Sequence, residues 1–459
     1  MQSLVFISPL VNTFLSFFER IFAGATRPAR DSLSLLVLSI VVTGSLSVRG
    51  CFNQVMSKLS PKKLKSFYYL LSKGKLSLSL WSRHLIRLAL SAVPENLSSM
   101  SIVLAVDDTM VEKEGTHFAH RKRLFDHSGY RLARAGAAKS DDKGRFIDGH
   151  CFVTLLMLIP TLSPNGQVAY RSSVVAQRMW TGEVSKLAMA KELVQLALSE
   201  LGERQVTLLC DSWYPKGEVA ELAGIPNLTI ICNVRHDTAM HDLPQHPEKP
   251  QRGRPRVFGE RVRITDFELA PVPETEWWVG TRTVRTRLFK DLLVTAIVTR
   301  KGTAGGRRLF LCTKPGACAM FAEHPEAFTA DDARKFVAAD AELTPLAVYS
   351  LRWAIETSYL ELKSFWDFRE YRVRSKEAVE RLLNLQSLVY GVLSLLPALD
   401  ASFACLDGLS IQERRWRMGQ LITRQMFFQS LARRVEIDEN RQPFLRLCED
   451  LMLQDSLAA

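Results

Sequence analysis

Tyr349, Arg352, Glu356 and Lys363 have residue types and a spacing that suit phosphodiester chemistry. The run Tyr349–Lys363 holds neither Gly nor Pro, which predicts one unbroken helix. At about 100° per residue, offsets of three, seven and fourteen place the four side chains within roughly a 60° wedge. Leu351, Ile355 and Leu362 fall on the opposite side, where a core wants them. One face then presents a carboxylate flanked by two cations and a phenol. The cations and the phenol would grip phosphate, and the carboxylate would hold a metal ion. Spacing alone serves equally well for a solvated face laced with ion pairs.

Two apolar runs of strand length lie far upstream, and both end in acids. The first is Ile102–Val106, closing on Asp107, Asp108 and Thr109; the second is Val206–Cys210, closing on Asp211 with Tyr214 just beyond. Hydrolysing a DNA phosphodiester requires an activated water and a stabilised leaving oxygen, and two divalent cations about 4 Å apart supply both. Magnesium takes oxygen ligands and keeps several waters, so three carboxylates suffice without His or Cys.

The Tyr-(2)-Arg-(3)-Glu-(6)-Lys spacing resembles the signature of the insertion-sequence-four family of bacterial DDE transposases. The Asp108-Thr109 pair and Asp211-Ser-Trp-Tyr214 look like that family's two Asp boxes, and the resemblance spans residues from about 100 to 395. The family places its first ligand directly before Thr, which selects Asp108 over Asp107. The resemblance implies catalytic and metal-binding roles for Asp108, Asp211 and Glu356, with two magnesium or manganese ions. Asp108 would bridge both ions. Arg352, Lys363 and Tyr349 would hold phosphates of the cut strand. Trp213 and Tyr214 are expected to pack beside the site, and Thr109 to support the strand end.

The implied fold is α/β, a ribonuclease-H-like catalytic core interrupted by a β-rich insertion, with helical regions at both ends. The expected divisions are a helical DNA-binding domain over 1–98, the first part of the core over 99–234 and the insertion over 235–344. The second part of the core, with the Glu helix, follows over 345–397, then a helical region over 398–459. Strand-length runs at 102–106, 150–159, 168–174, 206–210 and 228–234, with an amphipathic helix at 185–201, support an α/β sheet with helical crossovers.

Charge points the same way. The 60 Lys plus Arg outnumber the 48 Asp plus Glu, which favours a polyanionic partner, nucleic acid first and anionic membrane second. Within 1–98, Pro61-Lys-Lys-Leu-Lys65 and Ser72-Lys-Gly-Lys75 set cations beside a turn. They suit a helix-turn-helix-like DNA contact or a solvated turn. In the insertion, Arg252, Arg254 and Arg256 belong to an Arg-Gly-Arg-Pro segment similar to a minor-groove-binding peptide. The resemblance also implies a flipped base stacked on an aromatic residue of the insertion; Trp277 and Trp278 are adjacent in a strand, so one would face the core while the other stays free for that role.

Several classes are set aside. The apolar stretch 33–48 falls short of the roughly 20 residues a bilayer needs and reads as a buried helix. The first ten residues lack the cations of a signal peptide. The eight cysteines are scattered through apolar runs, as reduced thiols of a cytosolic protein would be. The sequence holds no P-loop, dinucleotide glycine motif or paired-His zinc motif, so no nucleotide cofactor or zinc is expected. The reading is a cut-and-paste DNA transposase that pairs transposon ends as a homodimer and joins them to target DNA, with no role for a membrane. The rivals are a catalytically silent, transposase-derived DNA-binding regulator and a stand-alone nuclease on the same fold.

Overall fold

The apolar runs that end in acids form neighbouring parallel strands at the centre of one mixed sheet. In a computed structural model, residues 8–126, 145–244, 256–290, 292–432, 442–443 and 445–447 are described. The twelve strands are β1 Ile102–Glu112, β2 Lys122–Asp126, β3 Arg145–Leu162, β4 Val168–Met179, β5 Val206–Cys210, β6 Leu228–Val234, β7 Met240–His241, β8 Arg261–Val262, β9 Ala270–Pro271, β10 Trp277–Thr286, β11 Leu293–Lys301 and β12 Arg308–Cys312.

Their order is β2-β3-β1-β5-β6-β12-β11-β10-β7-β8, with β4 on β3 and β9 on β10. Strands β3 and β1 run antiparallel, whereas β1, β5 and β6 run parallel. The β4–β5 connection is the helix Lys186–Leu201, which begins where the Ser185 hydroxyl accepts the Ala188 N–H at 2.9 Å. Strands β5 and β6 coincide with the apolar runs at 206–210 and 228–234. Strand β2 is too polar to stand out in the sequence, and β1, β3 and β4 run longer than their apolar centres.

Alternation along β1 sorts its side chains between two cores. Val103, Ala105 and Val111 join the one that includes Ile355, Tyr359 and Leu362 of the helix Trp353–Phe365 and much of the helix Lys376–Leu399. Ile102, Leu104 and Val106 join the other, with Ala190, Val194 and Ala197 of the crossover helix. Helices therefore cover both faces of the central strands.

The N-terminal helices Pro9–Ile21, Arg27–Thr43, Leu64–Lys73 and Leu78–Leu90 add to the first core. Arg27–Thr43 is buried on every side from Ser32 to Val41 and stops at Gly44, whose φ of 64° suits a residue without a side chain. Lys376–Leu399 is the one single helix among the described residues long and apolar enough to cross a membrane, and 78% of its apolar window is buried inside the protein. Its length and hydropathy are those of a central core helix.

After residue 235 the strands continue the same sheet. Strand β12 returns to pair with β6, Leu309 opposite Val234 and Cys312 opposite Ile231, and β11, β10, β7 and β8 extend outward. Pairing covers what would have been the open edge of β6. Six of the seven described cysteines are buried and all seven are free; Cys405 is exposed.

Candidate active site at the ends of two parallel strands

The last ladder pair of β1 and β5 is Val106 with Cys210, so the next residues along the two strands are Asp107 and Asp211. Alternation puts Asp107 on the face of Ala105 and Val103, toward the helix Trp353–Phe365. The Tyr359 hydroxyl donates to the Asp107 carbonyl at 3.1 Å and ties that helix to the strand end. Asp107, Asp108, Asp211, Arg352, Glu356 and Tyr359 line one cavity of about 260 Å³.

The two adjacent aspartates have different surroundings. Both Asp108 carboxylate oxygens accept from the protein: Oδ1 from the Tyr214 hydroxyl at 2.9 Å, Oδ2 from Lys186 Nζ at 2.8 Å and Cys151 Sγ at 3.2 Å. Its charge is matched by Lys186, and its lone pairs are largely taken. Among the described residues, Asp107 Oδ2 meets the Arg352 guanidinium alone, at 3.4 Å, and Oδ1 accepts the Asp108 N–H at 2.8 Å. Burial first, then Asp211 and Asp108, pushes the Asp107 carboxyl up to about 7 despite Arg352. Burial also raises Asp211, against the Trp213 N–H and Arg352.

Asp108, expected as the first ligand, lines the cavity together with Asp107. Asp107 is the residue that stands opposite Asp211 on the face toward Glu356. Consecutive strand residues point to opposite faces, which gives the two aspartates their different surroundings.

The helix expected to run unbroken through Tyr349–Lys363 has a joint. Thr344–Ser350 and Trp353–Phe365 are separate helices, linked by a turn in which Arg352 N–H donates to Tyr349 O at 3.0 Å and Ala354 N–H to Leu351 O at 3.1 Å. These i→i+3 bonds wind tighter than an α-helix, and the Arg352 guanidinium still lies 5.8 Å over the Tyr349 ring. Tyr349 packs its ring against Phe310, centroids 5.0 Å apart, and does not line the cavity. Arg352 bridges the cavity, bonding Asp107 with one nitrogen and Glu356 with the other. Burial works against its charge, but Tyr349, Glu356 and Asp107 outweigh that cost.

Lys363 holds its Nζ 5.8 Å over the Tyr359 ring, and burial with nearby Arg369 lowers its ammonium to about 8. Glu356 lines the cavity from the first turn of its helix. Among the described residues, no three His, Cys, Asp or Glu side chains are grouped tightly enough to hold an ion as they stand. The donor chemistry nevertheless fits a hard cation: Asp107 and Asp211 repel one another across a half-buried space, which a divalent ion would relieve.

The other candidates lie elsewhere. Trp277 Nε1 donates to Asp332 at 2.8 Å and its ring joins a small apolar cluster; Trp278 sits under the Arg300 guanidinium at 5.3 Å. The two face opposite ways, and neither lines the cavity. Arg256 is exposed, while Arg252 and Arg254 lie outside the described residues. Lys62 of the basic turn is turned inward, donating to Pro28 O at 2.8 Å and Ser32 Oγ at 2.7 Å.

Lys186, which the sequence reading did not single out, is the cation on Asp108. It opens a helix otherwise read for its apolar face. Tyr214 is fully buried, as expected of packing, but Trp213 is 41% exposed.

No curated protein matches the chain. One solved structure, a piggyBac transposase synaptic complex with hairpin DNA, aligns over 97% of this chain and 86% of that one. The identity is 10% and the TM-score 0.43, a likeness that fixes neither fold nor function. The model of the DDE superfamily endonuclease family matches residues 47–293, which include both Asp boxes and stop short of the Glu356 helix. With more than half of its length matched, the chain belongs to the DDE superfamily endonuclease family.

Proposed function

We propose that the protein is a DNA transposase that cleaves DNA at transposon ends with Asp107, Asp211 and Glu356 and joins the freed 3′ ends to target DNA. The observation that carries this is the meeting of these three carboxylates at one cavity, two from parallel strand ends and one from a helix over the same face. The strand order β4-β3-β1-β5-β6, with β3 alone reversed against its neighbours β1 and β4, supports a ribonuclease-H-like core. The Tyr349–Lys363 spacing supports kinship with the insertion-sequence-four group of the superfamily.

Two magnesium or manganese ions, held by the three carboxylates, would activate water and stabilise the leaving oxygen. The chain's own residues supply the rest. Asp108, held by Lys186 and Tyr214, fixes the end of β1 behind Asp107. Tyr359 pins the Glu356 helix to the same strand. Arg352 lines the cavity and Lys363 lies over the Tyr359 ring, two cations that would meet a phosphodiester. Double-stranded DNA of the element's ends and of the target would be the partner, with two chains acting together.

The test is nicking of a supercoiled plasmid carrying the element's ends, with magnesium or manganese. Cleavage by the wild-type chain and its loss in Glu356→Gln, with end binding retained, is the expected result. Binding without cleavage by the wild-type chain would leave a silent DNA-binding protein. Cleavage without joining would leave a nuclease.

A further inference from the structure

Beside the carboxylate cavity, cations and indoles alternate in a row: Lys122, Trp180, Lys186, Trp213, Lys216. Lys122 Nζ lies 5.0 Å from the Trp180 ring centre, and Lys186 Nζ lies 5.4 Å from both Trp180 and Trp213. Lys216 Nζ lies 4.7 Å from Trp213. The residues come from β2, the end of β4, the start of the crossover helix and the loop after β5, so the fold assembles what the sequence scatters.

We propose that this row is a track for an unpaired DNA strand, with the face of Trp213 stacking on a base. The proposal rests on the reading of the site as a DNA-cutting centre. The row touches that centre at two points: Lys186 is the salt-bridge partner of Asp108 at 2.8 Å, and the Trp213 N–H donates to Asp211 Oδ1 at 3.0 Å.

Three features fit such a ligand. The Trp213 ring is 41% exposed, yet it is braced edge-on by fully buried Tyr214 at 5.0 Å and 74°, so it is a rigid platform. Trp180 is fixed by its Nε1 donating to Val184 O at 2.9 Å, and Val184 is itself exposed. The turn beneath has Gly182 at φ 84°, where any side chain would collide with Lys122 Nζ. Lys186 is matched by Asp108, but Lys122 and Lys216 have no carboxylate partner among the described residues, although Glu218 is close by through its bond to Ser185. Trp213 stands between Lys186 and Lys216, and an indole between two cations suits a base with a phosphate on either side. A duplex hides its base faces, so stacking selects an unpaired strand.

Fluorescence anisotropy of a labelled 20-nucleotide oligo(dT), measured on the full chain in EDTA and compared with a blunt duplex of equal length, tests this. Trp213→Ala should bind the single strand about tenfold more weakly, with the duplex little changed, while Trp213→Phe restores binding. Lys122→Ala with Lys216→Ala should lower the salt dependence of single-strand binding, which Trp213→Ala should not. A thermal melt checks that each variant is folded. Wild-type affinity in Trp213→Ala, equal losses on both DNAs, or no binding of the oligonucleotide by the wild-type chain would overturn the track. Metal-dependent nicking persisting in that case would leave the transposase reading standing, and its absence from the wild-type chain would sink that reading separately.

Discussion

Asp107 and Asp211 stand side by side, each one residue past the last paired position, Val106 with Cys210, of two parallel strands. Parallel neighbours keep the same facing when they are level, so two acids at equivalent positions are brought to one face. Asp108, one residue further, also lines the cavity, but Lys186, Cys151 and Tyr214 meet its carboxylate. Parallel pairing, together with a helix crossing over that end, makes a carboxylate site out of two separate chain segments.

That arrangement separates two substitutions that look alike in the sequence. Asp107→Asn should abolish metal-dependent nicking, a loss of about 1,000-fold or more, because a ligand worth several kcal/mol in the transition state is removed. Asp108→Asn should act chiefly on stability, leaving Lys186 without its anion at a cost of about 1–3 kcal/mol. Plasmid nicking and thermal melts on both variants check this. An inactive, stable Asp108→Asn beside an active Asp107→Asn would reverse the assignment.

The sequence carried the sheet's central strands and the Glu helix because their apolar periods are strong. Val206–Cys210 and Leu228–Val234 lie where the apolar runs place them. Two features were hidden for physical reasons. The side toward which Asp107 or Asp108 points depends on which core each β1 face packs against, a tertiary fact that a motif does not encode. The joint at Leu351–Arg352 has no Gly or Pro to announce it, since both residues keep right-handed helical backbone and only the bonding pattern tightens. Trp213, expected to pack beside the site, is 41% exposed. Its exposure follows from its place beyond the strand end.

Arg352 bonds both Asp107 and Glu356, so it is the cation that keeps these carboxylates compatible when no ion is bound. Arg352→Ala should lower metal-free stability by about 1–3 kcal/mol, since two partly buried anions lose their partner. Magnesium or manganese should raise the melting temperature of this variant more than that of the wild-type protein, because the ion then relieves the repulsion alone. Equal metal-induced shifts in both proteins would show that Arg352 does not share the site with the ion.

His150 gives the metal-free protein an acid limb of its own. Its Nε2–H donates to Ala119 O at 2.9 Å, which leaves Nδ1 to accept the Tyr371 hydroxyl at 2.5 Å in the neutral form. Burial, aided by Lys113 and His120, lowers it from 6.5 to about 4. The unfolded chain therefore binds more protons between these values. Stability should fall as pH drops from about 6.5 to about 4, by up to about 3 kcal/mol from this group. Denaturant unfolding between pH 4 and 8 should show a flatter acid limb in His150→Gln, whatever its absolute stability. An unchanged slope would assign the acid sensitivity to other groups.

Arg252, Arg254 and Arg256 fall in sequence between β7 and β8, two strands at the edge of the sheet beyond β10, and Arg252 and Arg254 lie outside the described residues. Arg256 is exposed, and the chain is anchored next to it where Arg285 donates to Val257 O at 3.1 Å. Three arginines on such a connection can neutralise about three phosphates, or enter a minor groove that A·T-rich sequence has narrowed. Replacing all three with Ala should weaken binding to transposon-end duplex and reduce the slope of log affinity against log salt by up to about 3. The melting temperature and metal response should stay at wild-type values, because no central strand or carboxylate is touched. Competition with A·T-rich and G·C-rich duplexes separates the two modes: groove insertion predicts that the triple variant loses its A·T preference, whereas phosphate contact alone lowers affinity for both equally. Unchanged affinity at every salt concentration would leave the segment as a connection without a DNA role.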